Sequence, residues 1–116
     1  MNFAPVLHFA QRYSKETTDM KILGRTYTLR YVKHLSESGL LGQHCGGAHE
    51  ILIEEGMDAD NITSTFFHEV VEAINCILEL DLEHKTISAI EAGLASVFLD
   101  AKVDMSLLLK QEETKK

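Results

Sequence analysis

The feature that most constrains the fold is a pair of amphipathic helical patterns between Asp60 and Asp100. The first pattern predicts a helix from Thr63 to Leu80, because apolar residues recur there at the three-and-four spacing of a core-facing stripe: Phe67, Val70, Val71, Ile74, Ile77 and Leu78. The second predicts a helix from about Lys85 to Val103, with one apolar face formed by Ile87, Ile90, Leu94, Val97 and Phe98. Glycine inside a helix costs about 1 kcal/mol relative to alanine. We therefore expect Gly93 to permit close contact with the neighbouring helix.

Shorter segments around these helices predict strands and loops. Lys21 to Lys33 alternates and is rich in β-branched and aromatic residues, which predicts one strand. Glu50 to Glu55 predicts a short strand whose acidic ends suit an exposed sheet edge. The Ser- and Gly-rich residues 34–48 predict a loop, residues 2–14 a short helix, and residues 111–116 a frayed tail. The predicted fold is a single α+β domain over residues 1–116, with two to three antiparallel strands packed on a helix pair.

Composition limits the classes of partner. The chain has 116 residues and a formal net charge of −7, with 11 Lys and Arg against 18 Asp and Glu. That balance predicts no nucleic-acid partner, because phosphate-backbone binding needs a basic patch. No apolar run approaches the ~20 residues of a membrane span, and Met1 to Ala10 lacks the pattern of a signal peptide. Two isolated cysteines, Cys45 and Cys76, favour a reducing, cytoplasmic setting.

The first predicted helix carries a candidate metal site. His68 and Glu72 are four residues apart, so both project from one helix face, roughly 6 Å apart along the axis. An imidazole and a carboxylate so placed can bind one transition-metal ion. Glu69 follows His68 directly, where the pattern H-E-x-x-H places a general base.

The third metal ligand is left open between two residues. His84 lies beyond the predicted end of the first helix, and a tight reversal of the chain would bring its imidazole back to the site. Glu91, further along the second helix, is the competing candidate. Two histidines and one carboxylate leave a fourth position for water, which is typical of catalytic zinc sites. The same ligand set also suits iron.

A second group of metal-capable side chains lies in the predicted loop. His44-Cys45-Gly46-Gly47-Ala48-His49 could form another metal site or a substrate-facing loop. The alternative, which we favour, is an ordinary connection whose polar residues meet water.

The segments His68-Glu69-Val70-Val71-Glu72-Ala73-Ile74-Asn75 and Leu82-Glu83-His84-Lys85-Thr86-Ile87 resemble small phage- and prophage-encoded zincin metallopeptidases, similar to the SprT-like and ImmA/IrrE-like groups. The resemblance spans Asn61 to Asp100. It implies a zinc cofactor held by His68, Glu72 and His84, with Glu69 as the general base. It also implies a peptide substrate and a bacterial or phage-infected cytoplasm. The chain departs from the usual pattern at Glu72, where zincins have histidine.

Three functions are therefore open. The first is a zinc-dependent hydrolase of the metallopeptidase kind, in which the strand from Glu50 to Glu55 holds a peptide by strand addition. The second is a metal-binding phage accessory or interaction protein without catalysis. The third is a metal-free helical scaffold whose His and Glu side chains form ordinary polar contacts.

Overall fold

The computed structural model describes residues 17–105, which form a four-stranded mixed sheet and two α-helices. The strands are β1 (Thr17–Ile22), β2 (Arg25–Val32), β3 (Gly42–Cys45) and β4 (Glu50–Glu54), and the helices are α1 (Ala59–Leu78) and α2 (His84–Asp100). The predicted α+β class is confirmed, although the sheet has four strands rather than two or three and is mixed rather than antiparallel, because β2 and β4 pair in parallel. The predictions for residues 2–14 and 111–116 lie outside the described residues.

The segment predicted as one strand, Lys21 to Lys33, contains the end of β1, a tight turn and all of β2. β1 and β2 pair antiparallel, with Ile22 opposite Arg25. The two residues between them, Leu23 and Gly24, have φ values of 50° and 84°. Two positive φ angles in succession are what the tightest hairpin turns require, and glycine adopts this conformation without steric cost.

The predicted loop over residues 34–48 is also partly regular. It contains a short 3₁₀ helix, Leu35–Ser38, and the strand β3. β3 pairs antiparallel with β4, with His44 opposite Ile51. Only the last of its four residues, Cys45, is buried. Such a short and mostly half-exposed strand has no clear hydrophobic alternation.

The prediction that Glu50 to Glu55 forms an exposed edge is wrong. The sheet order is β1-β2-β4-β3, so β4 lies inside the sheet, parallel to β2 and antiparallel to β3. The buried carboxylate of Glu50 accepts a 2.7 Å bond from Arg30 Nε on the neighbouring strand. This ion pair offsets the cost of placing an acidic residue within the sheet.

The helix α1 begins at a conventional cap and lies across the sheet. The side chain of Asp58 accepts a 2.9 Å hydrogen bond from the backbone N–H of Asn61. The core between helix and sheet is continuous and contains Ile22, Tyr27, Leu29, Tyr31, Ile51, Ile53, Ile62 and Ala73. Val32, Cys45 and Leu52 form a smaller cluster. No helix in the described part of the chain is long and apolar enough to cross a membrane.

The helix α2 packs mainly against α1 and buries only a narrow face. Ile87 and Ala95 are its buried residues, and Phe98 contacts Phe67 of α1 with ring centroids 4.8 Å apart. The other apolar residues of the predicted face remain exposed: Ile90 at 39%, Leu94 at 37% and Val97 at 64%. The predicted apolar face of this helix is therefore only partly buried.

Candidate metal centre

The helix α1 brings His68 and Glu72 together, as their spacing predicts. His68 Nε2 lies 3.4 Å from Glu72 Oε2, and both side chains are partly buried at the border of the core. Metal–nitrogen and metal–oxygen bonds of about 2.0–2.1 Å around a tetrahedral ion place two donor atoms about 3.3 Å apart. The observed separation fits that value.

His84 is the first residue of α2, and the connection from α1 returns it to the site. Asn75, in the last turn of α1, organises this reversal. Its carbonyl accepts from Leu80 N at 3.1 Å, and its side-chain oxygen accepts from Leu82 N at 3.0 Å. Glu79 and Asp81 adopt positive φ angles of 53° and 58°, which turn the chain sharply. The sequence shows an asparagine near the helix end, but it does not reveal this bridging role.

The result is a group of three candidate ligands from two helices. One donor atom each from His68, Glu72 and His84 all lie within 4.8 Å of one another. His84 Nδ1 is 4.0 Å from Glu72 Oε2, and the two imidazole rings are 5.1 Å apart between centroids. The side chain of His84 is 74% exposed, so it has room to rotate towards an ion. Within residues 17–105 this is the one such group.

Glu91, the competing ligand candidate, lies on the other side of the His68 ring. Its Oε1 is 3.2 Å from His68 Nδ1. When Nδ1–H donates to this carboxylate, the lone pair of Nε2 is left pointing towards Glu72. Metal-bound histidines almost always donate their second ring N–H in this way. The geometry therefore favours His84 over Glu91 as the third ligand and gives Glu91 an orienting position.

Glu69, the candidate base, is a buried carboxyl group. Burial raises its pKa to about 7, while neighbouring His68 lowers this pKa and Glu72 raises it. The side chain lies directly beneath β3. A Cβ atom on Gly42 would stand 3.0 Å from Glu69 Oε2 and 2.5 Å from Thr65 Cγ2. Gly42 thus lets the edge of the sheet approach α1 closely, a role that the Gly-rich sequence did not single out.

A cleft of about 460 Å³ opens between β3 and the two helices. One wall consists of the four residues 39–42, and the other consists of polar side chains of α1 together with Glu91. His68 and Glu69 lie in this lining, whereas Glu72 and His84 do not. The cleft therefore gives a ligand access to the candidate base and to one candidate metal ligand. Its lining residues are Gly39, Leu40, Leu41, Gly42, Asn61, Ser64, Thr65, His68, Glu69 and Glu91.

His44, Cys45 and His49, in the segment predicted as a loop, do not form a second metal site. The hydroxyl of Tyr27 is 3.4 Å from His44 Nε2, and the Tyr27 ring stacks on His49 at 4.9 Å between centroids. Cys45 is buried in the smaller core cluster, and burial raises its pKa to about 11. Cys76, on α1, is exposed. Within the described residues this segment is therefore no candidate metal site, and it is the end of β3 with a turn rather than a connection whose polar residues meet water.

Comparison with family models, curated proteins and solved structures gives no match. The zincin resemblance consequently stays a hypothesis that rests on the sequence motif alone.

Proposed function

We propose that this protein is a zinc-dependent hydrolase of the peptidase kind. His68, Glu72 and His84 hold the ion, and Glu69 acts as the general base. The observation that carries the proposal is the convergence of these three donors, within 4.8 Å of one another, next to a buried carboxyl group on the same helix. Two nitrogens and one oxygen suit zinc and leave a coordination position free for a substrate or water. Another divalent metal is compatible with the same ligands.

In the proposed hydrolysis, Glu69 and Glu91 have different roles. A bound ion supplies Lewis acidity, which polarises a substrate carbonyl and makes water a stronger acid. Glu69, with its pKa near 7, takes a proton from the attacking water and returns it to the leaving amine. Glu91 holds His68 through Nδ1 and so fixes the direction of the Nε2 lone pair.

The strand that borders the cleft supports a peptide as the proposed substrate. Because β4 lies inside the sheet, it cannot hold a peptide by strand addition. β3 is at the edge of the described sheet, and its first residue, Gly42, lines the cleft beside Glu69. An extended peptide added to β3 would run past the candidate base. Exposed Leu40 and Leu41, which also line the cleft, would contact its side chains.

Metal content of the purified protein tests the ligand set. We expect near-stoichiometric zinc in the wild type after zinc addition and dialysis, and a large loss in His68→Ala, Glu72→Ala and His84→Ala. His34→Ala is the matched control, because this exposed histidine pairs with Glu37 outside the site. Absence of zinc from a folded wild-type protein would overturn the proposal and favour the metal-free scaffold.

A second candidate, a metal-binding protein without catalysis, is favoured by Glu72. A carboxylate donates more charge to the ion than the histidine of standard zincins does, which weakens the Lewis acid. Glu69→Gln separates the two functions, because it removes the base and leaves the three ligands. The hydrolase predicts that the variant keeps its zinc and loses cleavage of a fluorogenic denatured protein. Zinc binding with no cleavage by the wild type would support the second candidate.

A further inference from the structure

The exposed face of α2 is uncharged over most of its length. Between Lys85 and Asp100 the one charged residue is Glu91, and it turns inward to His68. The exposed residues of this stretch are small or apolar: Ala89, Ile90, Ala92, Gly93, Leu94, Ser96 and Val97. Solvent-facing surfaces of helices usually carry charged and polar residues. A contiguous apolar surface with charges only at its ends is typical of an interaction site.

Gly93 lies at the centre of this face. Thr86, Gly93 and Asp100 are seven residues apart, which is close to two helical turns, so they fall along one line. Ile90 and Val97 flank that line on one side, and Ala89 and Ser96 flank it on the other. Glycine lowers helix stability relative to alanine, yet apart from the nearby backbone of α2 and the two neighbouring residues, no atom lies within 4 Å of the position that a Cβ of Gly93 would occupy. The expected contact with α1 is therefore not the reason for a glycine here.

We propose that α2 pairs with α2 of a second copy of this chain, antiparallel and crossing at Gly93. Small residues at a crossing let two helix backbones approach closely. A two-fold axis at Gly93 places Ile90 of each copy beside Val97 of the other copy. The smaller Ala89 and Ser96 meet on the opposite side of the crossing.

Charge complementarity selects a second copy in this orientation. Lys85 and Asp100 are exposed at the two ends of the face, and neither forms an ion pair within residues 17–105. Thr86 and Asp100 each lie seven residues from Gly93, so an antiparallel pair places Asp100 opposite Thr86 of the other copy. Because Lys85 directly precedes Thr86, Asp100 then lies next to Lys85 of that copy. The carboxylate also meets the positive N-terminal end of the partner helix. A parallel pair would instead place the two Asp100 carboxylates together.

The test is the mass in solution, measured by sedimentation velocity and by light scattering over a wide range of concentrations. We expect a species of twice the 13.0 kDa chain mass that dissociates on dilution, because one helix face is smaller than a standard interface of about 1,600 Å². Gly93→Leu should abolish the dimer, since a bulky side chain blocks the crossing. A Cβ at this position meets no side chain or neighbouring element within 4 Å, so we expect the circular dichroism spectrum to stay unchanged.

Exchange of the charges at Lys85 and Asp100 provides a second test of the proposed dimer. Asp100→Lys alone should weaken the dimer by at least tenfold in dissociation constant, because two lysines then face each other. Adding Lys85→Glu to it should restore the affinity. A wild-type protein that is monomeric at every concentration would overturn the proposal. So would a dimer that tolerates Gly93→Leu, including one formed through another surface or through residues 106–116.

Discussion

At the scale of single residues, the buried carboxyl group of Glu69 should dominate the pH dependence of stability in the metal-free protein. Its pKa rises from 4.5 to about 7 on folding. The unfolded chain therefore releases this proton at a lower pH than the folded protein does. The contribution of the protonated Glu69 carboxyl group to the free energy of unfolding is therefore complete below pH 4.5, and it is lost as the pH rises through 7. A shift of this size corresponds to about 3 kcal/mol.

Glu69→Gln should remove that pH dependence. We expect the free energy of unfolding in urea, measured with a chelator present, to fall less between mildly acidic and neutral pH in the variant than in the wild type. Glu79→Gln is the control, because Glu79 is an exposed residue at the end of α1. Parallel pH profiles for wild type and Glu69→Gln would show that burial does not raise this pKa.

Glu91 should affect metal affinity without binding the metal itself. Its contact with His68 Nδ1 at 3.2 Å orients the ring whose Nε2 would bind the ion in the proposed site. Loss of such an orienting partner typically weakens metal affinity about 10–100-fold. We expect this loss in Glu91→Ala and a smaller one in Glu91→Gln, which keeps an oxygen acceptor. Competition with a chromophoric chelator measures both dissociation constants.

Two results would assign Glu91 a different role. A loss as large as that of His68→Ala would make Glu91 a direct ligand, and X-ray absorption at the zinc edge would then show one donor fewer in the variant. An unchanged dissociation constant in Glu91→Ala would show that the contact between Glu91 and His68 is an ordinary polar contact with no effect on metal binding.

At the scale of elements, the close approach of β3 to α1 depends on a missing side chain. Gly42→Ala would place Cβ 2.5 Å from Thr65 Cγ2. Overpacking of this kind costs about 1–3 kcal/mol. We expect the free energy of unfolding to fall by that amount. Gly47→Ala, which meets no atom within 4 Å, should leave it nearly unchanged.

The cause of the Gly42 effect can be isolated with a double variant. Thr65→Ser removes the methyl group that the new Cβ meets, so it should restore much of the stability lost in Gly42→Ala. If the double variant is as unstable as Gly42→Ala alone, the methyl contact is not the cause.

The helices could be predicted within a few residues, because apolar periodicity over many residues is a strong local signal. β3 could not, because its four residues show no clear alternation and its pairing depends on a strand further along the chain. The interior place of β4 was missed for a related reason: the sequence does not show that Arg30 neutralises Glu50. In the candidate site, the His68–Glu72 contact follows from helix spacing alone. The approach of His84 depends on the turn that Asn75 holds.

At the scale of the whole molecule, a bound ion should join the two helices. His68 and Glu72 belong to α1, whereas His84 begins α2, and the chain between them contains two residues with positive φ. Apart from its packing against α1, α2 makes few contacts with the rest of the described fold. In the proposed site, an ion held by both helices would stabilise the docking of α2 as well as the site itself, and metal binding would then be linked to folding.

This linkage predicts a zinc-dependent melting temperature. A ligand at 100 times its dissociation constant stabilises a folded protein by about 2.7 kcal/mol. In a domain of roughly 100 residues, that corresponds to a rise of about 10 °C. We expect this rise in the wild type and in His34→Ala on addition of zinc, its reversal by a chelator, and its near absence in His84→Ala. An equal rise in His84→Ala would mean that α1 alone holds the ion, because the stabilisation would then not depend on joining the two helices.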